Sequence, residues 1–85
     1  MEPSKHYESI KFYIKRLAEI KRYLLKYETE YHPEKVRSLI TSYKFTINKI
    51  INHSETYLRE EKNNWDKLEE VNKLLKQYKD FLTTL

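Results

Sequence analysis

Seven apolar residues early in the chain, Ile10, Tyr13, Leu17, Ile20, Leu24, Tyr27 and Tyr31, succeed one another at steps of 3 and 4. An α-helix turns once every 3.6 residues or so, so this spacing lays them along one face. Such a face has to be buried against something. Ile14 and Leu25 widen it. Val36, Ile40, Tyr43, Ile47, Ile50, Ser54 and Tyr57 make a second seam of the same period, broadened by Leu39, Ile51 and Leu58. Trp65, Leu68, Val71, Leu75, Tyr78, Leu82 and Leu85 make a third.

The breaks between seams are short. Ser4 can cap the first helix through its hydroxyl, with Pro3 just outside. Pro33 removes a donor and pushes His32 away from helical angles, which ends the first helix. It then opens the second, where a missing amide hydrogen costs nothing and Glu34 suits the positive helix end. For the second break, residues 62–64 (Lys-Asn-Asn) are preferred to residues 52–54 (Asn-His-Ser), because Asn tolerates the left-handed conformation and Asn64 can cap the third helix. Helices over residues 4–31, 33–62 and 64–84 result. Connections this short make neighbours antiparallel, so the expected fold is all-α: an up-down-up three-helix bundle with long helices, one domain over residues 1–85. A pattern this close to heptads also admits a homodimer that pairs helices between two chains.

Glycine is absent from the 85 residues. That removes the Walker loop, the dinucleotide-binding turn and the glycine-bearing nucleophile elbow, and it disfavours strand-rich folds that need Gly at bulges and hairpins. Cysteine is absent too, which excludes disulfides, thiolate zinc sites and a cysteine nucleophile. Uninterrupted apolar runs are no longer than Phe12-Tyr13-Ile14, far from the roughly 20 residues of a spanning helix. A cytoplasmic protein with no membrane partner is the simplest expectation. The charged set leans on 13 Lys and 11 Glu, a thermophile-like composition against which the five Asn argue mildly.

Catalytic chemistry finds little support. Counting down the antiparallel second helix places His53 near the level of residue 10 or 11, so His6 and His53 could converge with a carboxylate such as Glu2 or Glu55 on a metal ion. No helical metal-ligand spacing accompanies them, and neither a metal nor any cofactor is expected. Adjacent acids at Glu60-Glu61 and Glu69-Glu70 point about 100° apart on a helix and do not share a substrate. They read as a solvated face, and the chain reads as non-enzymatic.

Binding is better supported. Residues 35–54 carry four bases and no acid. Lys11, Lys15, Arg22 and Lys26 form one basic stripe; Arg37 and Lys44 line a flank of the second helix, with Lys49 nearby. These are the candidate contacts to nucleic acid, since lysine and arginine rows neutralise phosphates along a backbone. The net charge of +4 is modest, and soluble helices carry lysine widely. Phe12 and Tyr23 lie three turns apart off the main seam, and Phe45 sits on the polar side of its helix. Aromatic residues in such places are candidates for an interface, with Arg37, Lys44 and Lys49 around them.

Two readings stand out, in order of preference. The first is a helical interaction module, a small accessory subunit docking on a larger protein, in nucleic-acid machinery such as that of replication, repair or transcription. The second is a sequence-tolerant nucleic-acid-binding protein using the basic faces of helices 1 and 2. A self-assembling structural or viral component comes third.

Overall fold

The structure, a computed structural model, describes residues 5–84. It is an all-helical three-helix bundle: α1 spans Lys5–Thr29, α2 Pro33–Glu60 and α3 Trp65–Thr84. At about 1.5 Å per residue these are rods of about 38, 42 and 30 Å, matching an overall length of 48 Å. His6 on α1 reaches His53 on α2, and Tyr7 reaches Glu70 on α3, so α1 runs antiparallel to α2 and alongside α3. Among the described residues no helix is long and apolar enough to cross a membrane. The proposed Ser4 cap, Glu2 and Leu85 lie outside the described residues.

The first break is built without glycine. The Tyr31 amide donates to the Glu28 carbonyl at 3.3 Å and the His32 amide to the Tyr27 carbonyl at 3.0 Å. This is a Schellman closure, which needs a left-handed residue at its pivot. Tyr31 supplies it, at φ 57°. The residue expected to extend the first seam is therefore outside α1 and 90% exposed. His32 is extended, at φ −113° and ψ 77°, with Pro33 opening α2. The second break falls at residues 61–64. Glu61 bends away at ψ 129°, its carboxylate accepts from the Lys62 and Asn63 amides, and Asn64 Oδ1 accepts from the Lys67 amide at 3.3 Å.

α2 is the middle helix. It packs on both neighbours, whereas no Cα of α1 comes within 8 Å of one in α3. Ile47, Ile50 and Val71 are fully buried between the three, with Ile10, Leu17 and Ile51 beside them. Tyr7, which the first seam left out, closes the gap between α1 and α3. Its hydroxyl donates to Glu70 Oε2 at 2.8 Å, and the ammonium groups of Lys11 and Lys67 stand 4.7 and 4.6 Å from its ring. Ser54 is wholly buried, and its hydroxyl has no partner among the described residues.

α3 is too short to cover the whole hairpin. Its last residue, Thr84, lies about 21 Å along the axis from Glu70, which brings it level with Lys21 on α1. Leu25, expected to widen the first seam, lies past that point and is exposed. Ile40, assigned to the second seam, is 39% exposed. Trp65, assigned to the third, is 78% exposed at the start of α3, where it lines a hollow with Leu58 and Leu68.

Candidate functional site

Turning α1 and α2 against each other through Leu17, Ile20 and Ile50 leaves a flank on each helix that faces outward beside the seam. On α1 that flank carries Phe12, Arg16, Glu19 and Tyr23; on α2 it carries Leu39, Ser42 and Phe45. Between them runs a groove of about 570 Å³, floored by buried Ile20 and Thr46. No residue of α3 lines it. The three aromatics that fell off the seams thus meet on one surface: Phe12 is 62% exposed, Phe45 59% and Tyr23 53%.

The walls of the groove are organised. Phe12 stands edge-on to Tyr13 with ring centroids 5.4 Å apart. Lys49 lays its ammonium 5.2 Å from the Phe45 ring, a cation–π placement that leaves the charge on the rim. Tyr23 stacks on Tyr27 at 6.4 Å. Arg16 pairs with Glu19 at 3.5 Å. Thr46, at the floor, donates its hydroxyl to the Ser42 carbonyl at 2.8 Å, so it is buried without an unmet hydrogen bond. A second hollow, lined by Glu19, Arg22, Tyr23 and Lys26, shares Glu19 and Tyr23 with the groove and continues it.

The remaining candidates are distributed around the bundle. Arg37 and Lys44 are exposed but do not line the groove. Lys44 and Lys49 are five residues apart, about 140° around the helix, so they face different ways. On α1, Lys11, Lys15, Arg22 and Lys26 form an exposed line on the outer side of the helix, of which Arg22 and Lys26 reach the second hollow. Lys11 is turned towards Tyr7, and Lys26 stands 6.0 Å from the Tyr27 ring. The two basic stripes therefore belong to different outer surfaces.

His6 and His53 do meet, with their Nδ1 atoms 3.0 Å apart and ring centroids at 5.2 Å. That head-on approach is a hydrogen bond in which one imidazole donates and the other accepts. With one Nδ1 carrying the proton and the other's lone pair accepting it, neither Nδ1 is left to bind a cation. The nearby carboxylate is that of Glu60, 3.7 Å from His6 Nε2, whereas Glu55 is drawn off to Lys79 at 3.8 Å. Among the described residues no three His, Asp or Glu side chains gather as a metal ion would require. Burial, the neighbouring His6 and the Lys49 ammonium together hold the His53 imidazole below its usual value. Tyr13 stacks on its ring at 5.7 Å. The paired acids have partners within the bundle: Glu61 accepts from the Asn63 amide, Glu70 accepts from Tyr7, and Glu69 pairs with Lys73 at 3.7 Å.

The fold and the groove define an all-α bundle with an exposed aromatic groove between α1 and α2. Comparison with protein-family models, with curated proteins and with solved structures returned no match.

Proposed function

We propose that this chain is a non-enzymatic helical interaction module, an accessory subunit that docks on a larger protein through the α1–α2 groove. One observation carries the reading: Phe12, Tyr23 and Phe45, scattered in sequence, line a single groove that the bundle itself leaves uncovered. Large aromatics concentrate where interfaces are most buried, and here they cost exposed apolar surface without contributing to the core. The basic surroundings suit a partner within nucleic-acid machinery.

Phe45→Ala tests this reading. Phe45 is more than half exposed, so the variant is expected to fold with a helical signal and urea midpoint close to the parent's. Binding to the partner is expected to fall by about tenfold or more. Loss of folding would assign Phe45 to the core and end the proposal.

A second reading has its own observation, the exposed line of Lys11, Lys15, Arg22 and Lys26 on α1. In it the outer face of α1 contacts nucleic acid directly through phosphates, and the affinity falls steeply with salt. Failure to bind DNA or RNA even at low ionic strength would remove it.

A further inference from the structure

Resting on the docking reading above, we infer that the groove takes an acidic amphipathic helix of about three turns. Shape, length and charge each narrow the occupant.

The groove is a channel along two antiparallel helices, open to solvent, and it would leave most of a small molecule wet. Small-molecule sites bury most of their guest. A rod laid lengthwise fits better. Phe12 and Tyr23, at opposite ends of the α1 wall, are eleven residues apart, or about 16 Å along the helix axis. A helix covering that length presents apolar side chains at i, i+4, i+7 and i+11, the register of helix-in-groove recognition. It would lie against both α1 and α2 on a surface that α3 does not line, and it would bury Phe12, Tyr23 and Phe45 as the packed helices bury Ile47.

Charge selects among helices. The charged residues of the groove and its continuation are Arg16, Arg22 and Lys26 against the single acid Glu19, and Glu19 is already engaged by Arg16. On the α2 side Lys49 adds a further ammonium above Phe45, and residues 35–54 contribute no acid. A second copy of this chain would bring one basic rim against another, a like-charge contact that costs affinity. Glu and Asp on both flanks of the docked helix would instead meet Arg22 and Lys26 on one side and Lys49 on the other.

The test uses the full chain and labelled peptides followed by fluorescence anisotropy, with amide chemical-shift mapping on the unmodified protein. The probe is an 18-residue design with Leu at i, i+4, i+7 and i+11 and Glu on the flanks, about the shortest length at which such a helix is stable. Its counterparts carry Lys for Glu, or a central Pro that breaks the helix while keeping the charge. The acidic peptide is expected to saturate, with shifts centred on Phe12, Tyr23 and Phe45. Its affinity should drop about tenfold with Lys, with Pro, with Phe45→Ala, and with Arg22→Glu combined with Lys26→Glu. Equal binding of the Lys peptide, still lost with Phe45→Ala, would overturn the acidic assignment and leave the groove as a docking site. No binding by any amphipathic peptide would overturn the docking reading as well. Equal binding of the Pro peptide or of a DNA duplex would mean a surface for polyanions rather than a helix site. Self-association lost with Phe45→Ala in sedimentation equilibrium would put a second copy in the groove instead.

Discussion

Replacing Tyr31 with glycine should stabilise this protein. Tyr31 holds φ 57° at the pivot between α1 and α2, a conformation in which Cβ crowds the following carbonyl. An L-residue there costs about 1 to 2 kcal/mol, and glycine carries none of it. Against this, glycine loosens the unfolded chain by about 0.4 to 1 kcal/mol. The side chain is 90% exposed, so little packing is lost. The net expectation for Tyr31→Gly is a gain of about 0.5 to 1 kcal/mol, or an increase in Tm of about 3 to 6 °C for a chain of this size. Urea unfolding followed by circular dichroism would measure it. Tyr31→Ala is the control, because alanine keeps the Cβ and so the crowding, and its midpoint should stay near the parent's. A glycine variant no more stable than the parent would refute the reasoning. So would an alanine variant that gains as much, since the benefit would then come from removing the ring rather than relaxing the backbone.

Tyr7→Phe removes the one side-chain hydrogen bond that joins α1 to α3 among the described residues, and should cost about 1 kcal/mol by urea denaturation. An unchanged midpoint would show that the Glu70 carboxylate is as well served by water. Ser54→Ala removes a buried hydroxyl without a partner and should raise stability by about 1 kcal/mol; a loss would mean that the hydroxyl is satisfied. Stability should also fall as pH drops. The folded state disfavours the imidazolium of His53, so the unfolded chain takes up that proton first. The contribution is complete above the ordinary value of 6.5 and is lost progressively below it. Urea midpoints at about pH 8 and pH 5 should differ less in His53→Gln than in the parent, and identical differences would remove His53 as the cause.

The three helices are legible in the sequence because their signal is periodic and local: steps of 3 and 4, a proline at one break and a pair of asparagines at the other. A seam, however, is not buried along its whole length. Leu25 and Trp65 keep the period yet stand exposed; for Leu25, burial depends on where α3 ends, and helix length is a tertiary fact. Tyr7 escapes notice for the opposite reason. It lies three residues before Ile10, one step of the same seam, but an aromatic next to a terminus reads as solvated until Glu70 and Lys67 are seen around it. The off-seam aromatics can be recognised as surplus to each helix, and only packing brings Phe45 to the same groove as Phe12 and Tyr23. The basic residues are legible as types and not as a surface. The helical rotation that separates Lys44 from Lys49 can be counted, but which side each faces depends on where α1 packs.

α3 contributes no residue to the groove, and its backbone approaches that of α2 alone. The α3 side of the core and the proposed docking groove are thus physically apart. Changes on the α3 side, remote from the groove and sharing no partners with it, add to changes at Phe12, Tyr23 or Phe45 instead of coupling with them. Resistance to heat or denaturant can therefore drift, or be engineered, through the third helix while the shape and charge of the α1–α2 groove stay as they are.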